Sequence, residues 1–495
     1  MAPKRLIKVV LNALLLTGLV ANCATVRAQP KLKLIELDRQ FEQPVDMTKA
    51  QDGTDDIYIT ERLGKVYRYS RADEKTRLIL DLTHIVESKT LGGLLGLDFH
   101  PKFPDSSYFY VNYTKDGDSE EFPLVSIISR FTMTENGRAD LNSEYVIMRL
   151  KQPGVYHNLG DVAFGPDGYL YVPSGDGSLE NDEYRAGQNP KVRLGKLLRI
   201  DVDRPGDLLN YSIPPDNPYV NSTDTLDEIW SMGLRNPQQL SFDRATNDLW
   251  IGDIGEFNYQ EMNYQPAGNR GGQNYGWSCM EGSQPYAIPH PDCERAKFYD
   301  PPRFEYPRTS DNGVNGNFIV GGYVYRGPVR ALNGYFFCGD FLSSNLYMFD
   351  TSDPEATLLN AKPDVTVSNI SCFGESNDGS MFVASYNGSI YRIEAEEPTS
   401  IGSPHVTPEP LRCYPNPARD RITVAVPEQM HPNLVAKLTD LAGRTLLTTS
   451  LQRQPHHPRV VIDFPDYTVA GVYLLTLTDG HRQSVGRVVV QETSP

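Results

Sequence analysis

"DGTDDIYITERLGKVYRYS", residues 52–70, and "NDGSMFVASYNGSIYRIEA", residues 377–395, lie far apart in the chain yet follow one plan. Each runs from a turn into an aromatic strand, through a small or polar linker to a glycine, and into a second strand that ends in Tyr-Arg. Weaker copies lie between them: "PDSSYFYVNYT" with "SRFTM", "PDGYLYVPSGDG" with "GKLLRIDVD", "TNDLWIGDIGE", and "LNGYFFCGDFLSSNLYMFD". A lone hairpin cannot bury its own faces, whereas radially arranged units cover one another. Six copies over residues 33–396 predict an all-β fold, a six-bladed β-propeller. A sandwich is the alternative, and repeat count and spacing favour blades.

Composition agrees. The 28 Tyr, 40 Gly and 37 Pro among 495 residues suit strands and turns better than long helices, and 39% hydrophobic residues suffice for a packed core. Residues 1–28 read as a secretory signal peptide: Lys4, Arg5 and Lys8 precede an apolar run to about Ala21, and "VRA" offers a cleavage site after Ala28. That run is too short for a confident membrane span, so no transmembrane segment is expected in the mature protein. Cys23 raises a lipoprotein alternative, although Asn22 is a poor residue before a lipid-modified cysteine. The whole chain carries a net charge of −16, and the leader contains basic residues but no acids, so the mature protein is more acidic still. This balance argues against a nucleic-acid partner and suits an exported protein able to hold divalent cations.

"EAEEPTSIGSPHVTPEP", residues 394–410, is acidic and rich in Pro and Ser, and 397–410 are expected to be a linker. Beyond it, "RITVAV", "RVVIDF" and "GVYLLTL" are short alternating strands, predicting a small C-terminal β-sandwich over 411–495. Export permits disulfides. Cys279 and Cys293 bracket a short Pro-rich loop and form the first expected pair, Cys338 and Cys372 the second, leaving Cys413 unpaired.

Several ordered motifs carry chemistry: "GGLLGLDFHPKF" (92–103), "HNLGDVAFGPDGYLYVPSGDG" (157–177), "IPPDNPY" (213–219), "GLRNPQQLSFD" (233–243) and "GGQNYGW" (271–277). Through them, nearly all of residues 33–396 resembles the soluble PQQ-dependent glucose/sorbosone dehydrogenases, which include the hedgehog-interacting-protein-like propellers. The C-terminal "YPNPA", "LTDLAGRTL" and "GVYLLTL" resemble the sorting domain of the Bacteroidetes type IX secretion system. That likeness implies export through the periplasm by the type IX machinery, to the medium or to the outer-membrane surface.

The dehydrogenase resemblance makes His157 the general base toward a sugar hydroxyl, with the hydride passing to PQQ, and Asp176 the carboxylate that orients the imidazole. Imidazole titrates near neutrality, and a carboxylate fixes its useful tautomer. Arg235 corresponds to the arginine that polarises the quinone, and Asn236 to a cofactor contact. Gly255 and Glu256 correspond to the main-chain ligands of a Ca²⁺ that bridges to the cofactor, and Glu261 and Tyr275 to a second, structural Ca²⁺ site; oxygen donors suit that ion. Taken alone, Asp176 could be a turn cap, Arg235 a structural ion pair and Glu261 a solvated charge.

The chain also departs from the pattern. The lysine and two arginines that clamp the cofactor's carboxylates fall near Ser343, Asn369 and Ser371, and Leu91 and Tyr156 replace a glutamine and an acid. Such clamps are strong charge-assisted bonds. The expected function is therefore a secreted PQQ- and Ca²⁺-dependent dehydrogenase of an aldose-type sugar that holds its cofactor weakly. Its rival is a non-catalytic, calcium-stabilised carbohydrate- or protein-binding propeller. A metal-dependent hydrolase is a third class, but HExxH, GxSxG and a ligating histidine cluster are all missing.

Overall fold

The computed structural model describes residues 29–396 and 411–491, apart from short stretches at 89–90, 289–292, 294–297, 310–312, 355, 428–429, 441–443, 454–458, 466–467 and 480–482. The expected signal peptide, Cys23 and the expected linker lie outside the described residues.

Six four-stranded antiparallel sheets account for the first unit of the chain. Blade 1 spans Pro44–Thr48 to Lys75–Asp81, blade 2 Leu94–Phe99 to Ala139–Gln152, and blade 3 Ala163–Phe164 to Ile229–Met232. Blade 4 spans Pro237–Phe242 to Phe304–Pro307 and blade 5 Ile319–Val320 to Leu359–Asn360. Blade 6 takes three strands from Ile370–Glu375, Met381–Ser385 and Ile390–Ala395, and its fourth from Leu32–Glu36 at the other end of the chain. Each repeat noted in the sequence supplies strands to a separate blade, and the described residues contain no α-helix. The fold is the six-bladed propeller that the repeats predict.

Blades adhere because both faces of each sheet are apolar. Tyr58 and Val66 of blade 1 pack with Leu97 and Phe109 of blade 2, and equivalent clusters join every successive pair round to blades 6 and 1, where Phe382 and Ala384 meet Met47 and Ile59. Carboxylates add a direction-specific link near the axis. Asp46 Oδ2 of blade 1 accepts the Leu97 N–H of blade 2 at 2.9 Å, and Asp98 Oδ2 of blade 2 accepts the Phe164 N–H of blade 3 at 2.7 Å.

The cysteine expectation divides. Cys279 and Cys293 are disulfide-bonded, with Cα atoms 5.4 Å apart. Cys338 and Cys372 are both free and buried, which corrects the second expected pair. Cys338 belongs to the layer between blades 4 and 5 and Cys372 to the layer between blades 6 and 1, so intact sheets stand between them. Cys413 is free as expected.

The second unit holds seven strands in a three-stranded and a four-stranded sheet. Ile422, Val424 and Ile462 of the first share one core with Ala436, Leu438, Leu475 and Val488 of the second, which makes it a β-sandwich.

Burial pushes the Asp46 carboxyl up to about 8 and Asp98 up to about 6. The folded state thus holds these protons more tightly than the unfolded chain, so their stabilisation is complete below the ordinary carboxylate range and is lost as pH rises through the folded values. The melting temperature is expected to fall between about pH 6 and pH 8, and Asp46→Asn, which keeps an oxygen acceptor for Leu97, is expected to flatten that fall in thermal denaturation. A melting temperature constant across this window in the native chain would refute the assignment.

Candidate functional site

The stretch 156–177 folds as the inner hairpin of blade 3. Gly168 takes a positive φ of 84° in the turn, and Gly165 donates to the Tyr169 carbonyl at 2.9 Å. Leu159 bridges Ser174 across the hairpin, and counting outward from that pair sets His157 opposite Asp176. The Gly177 N–H donates to the His157 carbonyl and the Gly175 N–H to that of Asn158, at 3.3 and 3.1 Å. A side chain at residue 175 would place its Cβ 2.3 Å from the His157 oxygen, so the "SGDG" glycine is what lets the two ends close.

His157 Nδ1 lies 2.8 Å from Asp176 Oδ1. Asp176 is fully buried; its Oδ1 also accepts the Ser178 N–H at 2.9 Å, and its Oδ2 accepts Trp277 Nε1–H at 2.7 Å. An acceptor-only carboxylate makes Nδ1 the protonated nitrogen of a neutral imidazole, which leaves Nε2 as the basic atom. Among the described residues no group bonds Nε2. His157 has a φ of 47°, a left-handed conformation unusual for a non-glycine residue, and strain of this kind concentrates at functional positions.

Behind Asp176 lies a further layer of charge. Burial pushes Asp182 up to about 6, with the Asp176 charge adding to the shift, while Lys196, wholly buried, is pushed down to about 7. The Lys196 ammonium donates to the carbonyls of Ala186, Gly187 and Leu194, tying down the loop that packs behind the pair.

Above His157 is a cavity of about 360 Å³. It takes Val45, Leu95, Gly160, Gln238, Val320 and Ser371, one residue from each blade, and therefore lies on the propeller axis. Its floor carries His157, Asn158, Asn236 and Gln238. Asn158 Oδ1 is buried without a partner, and among the described residues the side-chain amides of Asn236 and Gln238 are unengaged. Leu91, Phe318, Phe341 and Leu342 supply apolar walls. Apolar walls with a few convergent polar groups are the usual signature of a small-molecule site.

Asn236 reaches the cavity, and its N–H and that of Arg235 are both held by the Asp253 carboxylate, at 2.7 and 2.9 Å. Arg235 lies behind the wall: Nη1 donates to the carbonyls of Ile254 and Gly255 at 3.1 and 3.0 Å, and its guanidinium stacks 5.4 Å from the Trp277 ring. The Glu256 carbonyl accepts from Arg308 Nη2, and the Glu256 carboxylate accepts the Asn181 N–H and the Tyr286 hydroxyl. Burial, with the Asp253 charge opposite, pushes Glu261 up to about 8, and its carboxylate accepts the Gly282 N–H. Tyr275 Oη instead receives Gln265 Nε2–H at 2.6 Å, so Glu261 and Tyr275 share no hydrogen-bond partner. Ser371 is on the cavity wall, whereas Ser343 and Asn369 are outside it. Trp277, Asp253 and Lys196 have no signal in the sequence beyond the "NYGW", "GDIG" and "LGK" stretches that contain them.

These features define a propeller with a buried histidine–aspartate pair at the base of an axial cavity. Residues 41–398 match the glucose/sorbosone dehydrogenase family, and the chain belongs to it. Residues 412–491 match the secretion system C-terminal sorting domain. The HIPL2 protein of Arabidopsis thaliana is 27% identical over 61% of this chain and 51% of its own length. Quinoprotein glucose dehydrogenase B of Acinetobacter calcoaceticus is 27% identical over 46% of this chain and 48% of its own. The chain thus spans about half the length of these curated relatives. The solved structure of the PQQ-bound form of aldose sugar dehydrogenase from Streptomyces coelicolor shares the fold, with a TM-score of 0.56 and 19% identity over 74% of this chain and 99% of that one. Among the described residues no helix is long and apolar enough to cross a membrane.

A quinone ring suits the unengaged amides and the histidine on the cavity floor, but the charged parts of PQQ with Ca²⁺ do not fit the rest. Among the described residues the one arginine in the lining, Arg62, spends its guanidinium on Gln43, Tyr386, Ser88 and Gly92. The Gly255 and Glu256 carbonyls, where a calcium ion was expected, already accept guanidinium donors. Among the described lining residues, three carboxylates buried there would find no cationic partner but Arg62, at a cost of several kcal/mol.

Trp277→Phe keeps an aromatic ring but strips a donor from a buried carboxylate oxygen. Urea denaturation is expected to show a loss of about 1–3 kcal/mol; an unchanged stability would show that the Trp277–Asp176 bond is not formed in solution.

Proposed function

We propose that the propeller is a sugar dehydrogenase of the cell surface or medium, carried there by its sorting domain, with an aldose-type substrate seated over His157. The observation that supports this reading is the His157–Asp176 pair, with Nε2 unengaged at the floor of the axial cavity. His157 Nε2 takes the proton of the hydroxyl whose carbon is oxidised. Asp176 holds Nδ1–H and balances the imidazolium charge, and Trp277 keeps the carboxylate from turning away. Asn236 and Gln238 offer donors and acceptors for substrate hydroxyls.

A second reading, a carbohydrate- or protein-binding propeller without redox chemistry, is favoured by the missing carboxylate clamp at Ser343, Asn369 and Ser371. The two separate in a dye-linked oxidation assay of the full chain over a panel of aldoses. Turnover is expected, and His157→Ala is expected to lower kcat by a factor on the order of 10²–10⁴ with an unchanged circular dichroism spectrum. Asp176→Asn is expected to lower kcat similarly by disturbing the tautomer. Sugar binding without turnover, equal in native and His157→Ala chains, would establish the binding module instead.

A further inference from the structure

We propose that the axial cavity binds an uncharged quinone ring as the hydride acceptor, in place of a tricarboxylate. This rests on the sugar-oxidising reading for its chemistry, though the cavity's selectivity stands on its lining alone. Val45, Leu95 and Val320 line the axial wall, and Phe318, Phe341 and Leu342 continue it through the blade 5 loops. Leu91 and Leu342 are 54% and 57% exposed at this same site, leaving apolar surface on the rim for a ligand's substituent to cover.

Charge points the same way. Among the described residues, Arg62 is the cation that lines this space, and it is held by a hydroxyl, an amide oxygen and two carbonyls; Arg235, outside the lining, donates to the Ile254 and Gly255 carbonyls and pairs with the Glu256 carboxylate at 3.6 Å. A neutral carbonyl needs only a dipolar donor, and the Asn236 and Gln238 amides provide that from the floor. The guanidinium donors on Gly255 and Glu256 also remove the demand for a divalent ion at those carbonyls. Binding is therefore indifferent to calcium.

The redox step balances with this acceptor. The sugar hydroxyl gives its proton to His157 Nε2, the C–H bond breaks as C=O forms, and the hydride adds to the quinone. The imidazolium then returns its proton to the reduced quinone, which leaves as the hydroquinone. One secondary alcohol or hemiacetal is oxidised by two electrons for each quinone reduced.

Equilibrium dialysis of the full chain against 2-methyl-1,4-naphthoquinone and, separately, PQQ with and without CaCl₂ tests the assignment, with bound quinone read by absorbance. The naphthoquinone is expected to bind once per chain and at least tenfold more tightly than PQQ, with no effect of calcium. Leu342→Glu, at an exposed position that tolerates charge, is expected to weaken naphthoquinone at least tenfold without altering the melting temperature. The pair Leu342→Lys and Ser371→Arg is expected to shift preference toward PQQ. Tighter binding of PQQ than of naphthoquinone by the native chain, or naphthoquinone binding unchanged in Leu342→Glu, would overturn the proposal while leaving sugar oxidation to be judged by turnover. Selective naphthoquinone binding with no oxidation of any aldose would uphold the cavity assignment and overturn the proposed reaction.

Discussion

Ring closure is the constraint on which the molecule depends. Leu32–Glu36 completes blade 6 by pairing with Ile390–Ala395, Leu32 opposite Ala395 and Glu36 opposite Tyr391. A five-residue strand thereby joins the two ends of a chain segment that otherwise forms an open arc. Without it, the apolar layer of Met47, Ile59, Phe382 and Ala384 between blades 6 and 1 has no reason to stay dry. The pairing joins residues more than 350 positions apart (Leu32 with Ala395), so its loop-closure cost is high. Only a closed ring brings six inner strands to one axis, and the cavity is the space those strands leave.

Within that ring, the site is fixed by hairpin register more than by any loop. His157 and Asp176 are nineteen positions apart in sequence, yet they oppose each other because Leu159 bridges Ser174. A shift of one residue would turn every inner side chain of the hairpin to the wrong face. The glycine at 175 and the left-handed backbone at 157 permit the close approach, and the carboxylate is then locked by Trp277, which comes from the segment leading to the Cys279–Cys293 disulfide. Blade 3 supplies the pair, and blade 4's long excursion supplies the support.

Much of this was legible in the sequence. Turn–strand–glycine–strand units repeat because each blade solves the same burial problem, so their number was countable before any coordinates. The His157–Asp176 pairing was legible through the family resemblance, and the turn at "GPDG" with strands on either side is the physical reason that those residues face each other. Side-chain commitments were harder. Arg235 looks the same in sequence whether its guanidinium faces a ligand or the carbonyls of Ile254 and Gly255, because the difference lies in how the loop after blade 4's second strand curls back. Cys338 and Cys372 sit on similar strands in similar contexts, and only their assignment to different inter-blade layers keeps them apart. Trp277 was invisible as a partner of Asp176 because their contact joins two blades through a hundred residues of intervening chain.

The contrast between the base and the cavity carries the chemistry. Beneath His157 the protein concentrates ionisable groups: Asp176, Asp182, Lys196 and Asp253 are all buried in the same region, each held by main-chain groups that need no ligand. Above it, the wall is apolar and, among the described residues, its one arginine is spent. Ionisable groups and oriented dipoles below a low-dielectric chamber act on a proton without requiring the ligand to be charged, since their field is little screened there. A site built in this way discriminates by shape and by a few neutral hydrogen bonds, while the lower layer orients the His157 imidazole. On the proposed reading, substitutions in the upper wall change what is held without touching the His157–Asp176 pair.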